Sequence, residues 1–154
     1  MNTSGCHNLP RVVLREAFKF LSDEDVDTLC PYLDIREWSA NSVVMPEGEL
    51  GDFMGVLVEG KLAVHKKTDF PGRHILMAVL EPGSLVGEMS VMERGRRNSS
   101  VIAMEPCKLF VLTSDSMAAL LLEKPALGIK LLKRVIHVLS LRFRNTNDRL
   151  AKLL

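Results

Sequence analysis

Gly87-Glu88-Met89-Ser90-Val91-Met92, followed by Arg97-Asn98-Ser99-Ser100-Val101, decides how this chain is read. A glycine at 87 permits a tight turn, and the amide N–H groups after such a turn converge on one point, as they do where helix starts and backbone nests hold anions. Arg97 follows ten residues later, and its planar guanidinium can form two parallel hydrogen bonds to a phosphate. A carboxylate beside a phosphate repels it. Glu88 is therefore useful only when turned to a neighbouring hydroxyl, as the acidic residue of dinucleotide folds is turned to ribose. Met89 and Ser90 add backbone N–H groups, and Ser90, Asn98 and Ser99 add further donors. A small phosphorylated sugar needs this set. Taken alone, the residues also fit an ordinary turn before an apolar run and a pair of solvated arginines, so the surrounding pattern has to arbitrate.

That pattern runs helix, many short strands, helix. Residues 11–21 place Val13, Leu14, Ala17, Phe18 and Leu21 at helical spacing. Ser22 suits an N-cap, with Asp23, Glu24 and Asp25 well placed in the first turn of a second helix reaching about residue 33. From 35 to 112 the period shortens. Apolar and β-branched runs at 42–45, 53–58, 61–65, 74–80, 99–103 and 108–112 alternate with turn residues such as Pro46-Glu47-Gly48, Glu59-Gly60, Pro71-Gly72 and Glu81-Pro82-Gly83. Strands at such spacing indicate a sandwich or roll. Thr113-Ser114-Asp115 can cap a helix to about 122, and Pro125 opens the last and longest one. There Leu127, Leu131, Val135, Val138, Leu139 and Leu150 fall near one side, with Lys130, Lys133, Arg134, His137 and Arg144 tending to the other.

Composition sets bounds on function. At 154 residues, 47% hydrophobic and 25% charged, the chain suits one domain with its own core. A net charge of +1 gives no bulk signal for nucleic acid. Three separated cysteines without a CxxC pair fit reduced thiols better than a disulfide framework. The first eight residues lack the apolar region of a signal peptide, and the best apolar run, 126–143, is broken by Lys130, Lys133, Arg134 and Arg142. A soluble cytoplasmic protein with no membrane contact is expected.

The stretch from Gly87 to Val101 resembles the phosphate-binding cassette of cyclic nucleotide-binding domains. The resemblance continues in order through Phe20-Leu21-Ser22-Asp23-Glu24-Asp25, Pro46-x-Gly48-x-x-Gly51-Asp52, Glu59-Gly60-Lys61-Leu62-Ala63-Val64, Pro82-Gly83, and Leu109-Phe110-Val111-Leu112 leading into two helices. It covers roughly residues 18–150. It implies an α+β fold: an antiparallel, jelly-roll-like β-roll (about 35–112) flanked by N-terminal helices (about 11–33) and two C-terminal helices (about 114–153), all in one domain spanning 1–154. It also implies a non-catalytic regulatory module that takes a cyclic mononucleotide, cAMP or cGMP, as ligand and needs no cofactor. The ligand set it implies is Gly87, Glu88, Met89, Ser90, Arg97, Asn98 and Ser99, with Glu88 on ribose and Arg97 on phosphate. Thr146 and Asn147, in a segment similar to the family's base-reading helix, would face the base; equally, they fit exposed polar helix residues.

Several positions depart from the common pattern. Val86 and Gly55 stand where aromatics are frequent, Arg96 where proline is frequent, and Asn98-Ser99 replaces a small pair. They leave the choice of base open, and Val86, Arg96 and Asn98 motivate a second reading, a nucleotide-independent interaction module. Many relatives append a helix-turn-helix after the last helix; with the chain ending at Leu154, direct DNA binding is not expected, and a third reading makes the chain the sensory part of a longer DNA-binding regulator. The last helix is expected to move with the ligand, to pair with a second copy in a homodimer and to signal to a downstream protein of unknown identity. Lone His65 and His74 do not make a metal site, no G-x-S-x-G elbow supports hydrolysis, and Arg96-Arg97-Asn98-Ser99 only looks like a phosphorylation motif.

Overall fold

The computed structural model describes residues 11–154; Cys6 and the start of the chain lie outside the described residues. Two short helices come first, α1 (Arg11–Ala17) and α2 (Asp23–Leu29), the second capped by Ser22, whose Oγ accepts from the Asp25 amide at 3.1 Å. A 3-10 turn, Cys30–Tyr32, leads into the strands.

Eight antiparallel strands build two four-stranded sheets. One has the order β1 (Asp34–Trp38), β8 (Cys107–Thr113), β3 (Phe53–Glu59), β6 (Leu85–Val86). The other has β2 (Val43–Met45), β7 (Ser100–Ala103), β4 (Leu62–Lys67), β5 (His74–Leu80). Between β6 and β7 lies α3 (Glu88–Glu93); α4 (Ser114–Glu123) and α5 (Pro125–Leu153) close the described chain. The α+β roll with helices at both ends agrees with the expected class.

Alternation along β3 and β8 explains the layering, because successive side chains of a strand point to opposite faces. Phe53, Leu57, Leu109 and Val111 enter one apolar cluster with Val44, Met45, Leu62, Val86 and Val101. Met54, Val56, Phe110 and Leu112 enter a second cluster with Leu14 of α1, Phe18 in the turn after it, Val26 and Leu29 of α2, and Met117, Leu120, Leu127 and Leu131 from the last two helices. Strands buried on both faces read as continuous apolar runs, which is why Leu109-Phe110-Val111-Leu112 has no polar interruption.

The structure departs from the sequence reading in several places. The strands β1 and β6 were not singled out, and the turn at Gly87 continues into α3. In α5 only Leu127, Gly128, Leu131 and Val135 are buried, whereas Leu150 is exposed. The helix runs past the edge of the roll, so a pattern that continues in sequence loses its packing partner. Cys30 is disulfide-bonded, which corrects the expectation of reduced thiols, while Cys107 is a free, buried thiol. No described helix is long and apolar enough to cross a membrane, and no described cluster of His, Cys, Asp or Glu could hold a metal.

Candidate functional site

The strand β6 delivers the chain to Gly87, which adopts φ +79°, a left-handed conformation that costs glycine least. A Cβ there would stand 2.6 Å from Arg97 Nη1 and 2.7 Å from Met45 Cε, so any other residue would displace the ends of these side chains as well. The turn brings Gly87, Glu88, Met89 and Ser90, the opening of α3, to the lining of a cavity of about 380 Å³ between the second sheet and α5; the first amides of a helix have no acceptor within it. Small-ligand sites usually measure roughly 300–1,000 Å³.

Arg97 lines the same cavity and packs directly against this turn. It is buried, 6% exposed. Its Nη1 donates to Ser90 Oγ at 2.7 Å and to the Gly87 carbonyl at 3.0 Å, and Nη2 donates to the Phe53 carbonyl at 2.6 Å. No carboxylate pairs with it among the described residues. Burial pulls its pKa below the ordinary guanidinium range; the more distant charges of Asp52 and Glu88 push it back up. Arginine nonetheless stays charged in proteins. The site therefore contains a desolvated cation without a counter-ion.

Backbone bonds fix the loop that carries Arg97. The Gly48 amide donates to the Arg97 carbonyl at 2.9 Å, the Arg97 amide to the Glu49 carbonyl at 2.7 Å, and the Gly51 amide to the Gly95 carbonyl at 3.1 Å. Gly51 is a site residue the sequence reading did not assign: a Cβ there would stand 2.1 Å from Ser90 Oγ and 2.9 Å from Arg97 Nε. Arg96, in the position where proline is frequent, donates to the Gly48 carbonyl at 2.8 Å and so helps hold the same turn. Gly55 has Leu109 Cδ2 2.9 Å and the Phe110 carbonyl 3.0 Å from where its Cβ would be, so a side chain there would require these neighbours to shift.

Glu88 is also buried, and its Oε1 accepts from Arg142 Nη1 of α5 at 2.6 Å. Nη2 of that guanidinium donates to the Leu85 carbonyl. Arg142 is a second residue the reading missed as a site member. Its signal was available, because it lies four residues before Thr146 and hence on the same helix face.

Gly87, Glu88, Met89, Ser90, Arg97, Asn98, Ser99 and Thr146 all line the one cavity; Asn147 is exposed and outside the lining, where Asn145 stands instead. Lys66, Arg142 and Arg149 line it too. Asn98 is engaged by Lys66 Nζ, which donates to its carbonyl at 2.6 Å and to Oδ1 at 3.1 Å. The Thr146 hydroxyl donates to the Arg142 carbonyl at 2.9 Å, leaving its lone pairs free to accept. The arrangement offers one end rich in donors for an anion and, beside it, a carboxylate acceptor whose cation can be exchanged.

The chain belongs to the cyclic nucleotide-binding domain family, whose model matches residues 35–124. Among its relatives is the cyclic AMP receptor protein of Thermus thermophilus, 31% identical over 108 residues, which are 70% of this chain and 50% of that protein. A cAMP-activated global transcriptional regulator of Mycobacterium tuberculosis is 26% identical over 137 residues, 89% of this chain and 59% of the relative. The matched stretch thus spans 50–59% of the length of these relatives. A crystal structure of a cyclic nucleotide-binding domain from Methylobacillus flagellatus superposes with a TM-score of 0.84 at 28% identity, covering 94% of this chain and 85% of that one.

Proposed function

We propose that residues 1–154 form one non-catalytic sensor domain whose ligand is a cyclic purine mononucleotide, cAMP or cGMP, and that it signals through its last helix. The observation that carries this reading is Arg97: a buried cation, unpaired by any described carboxylate, lining a cavity of ligand size. An anion entering that cavity supplies the missing charge without a large new desolvation cost to the arginine, because folding has already taken the guanidinium out of water. In this reading Arg97 and the amides of Glu88, Met89 and Ser90 bind the cyclic phosphate. Glu88 accepts from the ribose 2′-OH, Ser90 and Ser99 complete the donor ring, and Thr146 faces the base.

Transmission follows from how α5 is held. Its first half is anchored by buried Leu127, Leu131 and Val135. Its second half reaches the site through polar contacts: Arg142 to Glu88 and Leu85, and Arg149 Nη1 to the Met77 carbonyl at 3.3 Å. A ribose hydroxyl at Glu88 competes for the acceptor that Arg142 uses, so occupancy changes how firmly the second half of α5 is held. Two packings of one helix then differ by a ligand contact, which is what a population shift requires.

The same helix carries exposed Ile129, Ile136, Phe143 and Leu150 at seven-residue intervals. A seven-residue apolar repeat is a coiled-coil seam, which supports pairing with a second copy. The length of the relatives supports, as a second reading, a role as the sensory part of a longer DNA-binding regulator.

Calorimetric titration with cAMP and cGMP tests the proposal, together with Arg97→Ala. Binding by wild type, and its loss in Arg97→Ala, is expected. Ligand at a hundred times its Kd raises stability by about 2.7 kcal/mol. A wild-type protein whose heat and melting respond to neither nucleotide refutes the sensor reading and favours a nucleotide-independent interaction module.

A further inference from the structure

Arg97 is held by more than hydrogen bonds. Its guanidinium carbon lies 4.9 Å from the centroid of the Phe53 ring, while the Phe53 carbonyl accepts from Nη2. Phe53 opens β3 and is buried. Two further groups meet the same ring, both from β1: the Arg36 guanidinium at 4.9 Å and the Trp38 indole, stacked at 6.0 Å with 17° between planes. Arg36 and Trp38 are two residues apart on a strand and so share a face.

We propose that Phe53 is the positioning residue of Arg97, its ring fixing the guanidinium plane so that the remaining N–H donors face the cavity. The proposal rests on the reading of Arg97 as the phosphate contact. A buried guanidinium has to be stabilised by something, and the usual partner is a carboxylate. A carboxylate here would neutralise the cation and compete with an arriving anion. The face of an aromatic ring attracts the same cation through its quadrupole and carries no net charge. It orders and stabilises Arg97 while leaving its full charge for the ligand. The backbone carbonyl of Phe53 stays whatever the side chain, so substitution isolates the contribution of the ring.

The test has two arms. In ligand-free protein, the Arg97 Nε–H signal is assigned in nitrogen–proton spectra by its disappearance in Arg97→Lys. It is expected ring-current shifted and slow to exchange in wild type and in Phe53→Tyr. In Phe53→Leu it is expected nearer an ordinary arginine position, with faster exchange. In the second arm, cAMP and cGMP are titrated, with emission of Trp38, the chain's one tryptophan, read beside calorimetry. Affinity should fall about 10- to 30-fold in Phe53→Leu, equivalent to about 1.4–2 kcal/mol, and be rescued by Phe53→Tyr. Should Phe53→Leu not fold, Phe53→Met removes the ring at closer volume. An unmoved Nε–H signal, or full affinity without the ring, overturns the proposal. Failure of the wild type to bind either nucleotide refutes the sensor reading instead, and the first arm then decides the role of Phe53.

Discussion

Removing Arg142 tests the link between the cassette and α5 most directly. The Glu88 side chain is 4% exposed and that of Arg142 39%, with 2.6 Å between their charged atoms. Deleting one partner of a fully buried pair costs about 3–5 kcal/mol, because the other charge is left uncompensated. A surface pair contributes about 0–1 kcal/mol. This pair has one buried member and one partly wet member, so Arg142→Ala should destabilise by about 2 kcal/mol, discounted for solvent around the guanidinium. In a chain of this size that lowers Tm by roughly 4–8 °C. In a Glu88→Gln background no buried carboxylate is stranded, and the same change should cost about 0.5 kcal/mol. The double-mutant cycle therefore predicts a coupling of about 1.5 kcal/mol, measured by urea unfolding followed by circular dichroism. Saturating cyclic nucleotide should shrink the coupling, because the ribose hydroxyl shares the acceptor. Coupling within about 0.5 kcal/mol of zero, the range expected of independent sites, refutes the idea that this ion pair ties helix to cassette.

Three further outcomes follow from the geometry. Gly51→Ala places a methyl 2.1 Å from Ser90 Oγ, so the ligand-induced rise in melting temperature should vanish while circular dichroism still shows a folded roll; an undiminished rise contradicts the arrangement at Ser90. The Glu47 carboxyl lies below its ordinary 4.5, chiefly because the Lys67 amide donates to it, helped by Lys66. A depressed carboxyl stabilises the fold above about 4.5 and loses that contribution as pH falls through the folded value. The acid limb of the stability profile should be shallower in Glu47→Gln, and identical limbs would count against the contact. Burial pushes the Cys107 thiol above its ordinary 9.0. The neutral thiol suits the fold below that pH, and stability should decline as pH rises from about 9 through the folded value. A thiol reagent should label Cys107 no faster than the protein unfolds, and rapid labelling of native protein would show the site to be open.

How much was legible in advance depends on how local each cause is. The turn at Gly87, the caps at Ser22 and Thr113 and the apolar runs of β3, β7 and β8 have their causes within a few residues. The strand β1 escaped because Asp34-Ile35-Arg36-Glu37-Trp38 is an edge strand with charged residues, whose order comes from pairing with β8 far along the chain. The β6 strand has only Leu85 and Val86, too short for any period to show, and it exists because Gly55 and Val56 lie opposite. Arg142 read only as a break in the apolar run 126–143 because its partner, Glu88, is 54 residues away. Phe53 read only as a strand residue, since nothing near it in sequence reveals that a guanidinium rests on its ring.

The sequence by itself pointed to the class of fold and to the residue types of the cassette, because glycine turns, strand alternation and the placing of a carboxylate nine residues before an arginine are local properties of residue type and spacing. Only the tertiary structure decided how that chemistry is poised. It buried Arg97 without a carboxylate, set it on Phe53, cleared room for it with Gly51, and laid Arg142 of α5 on Glu88. Those are contacts between segments distant in the chain. Their energies depend on burial and on which partner is missing, and neither exists until the roll has closed.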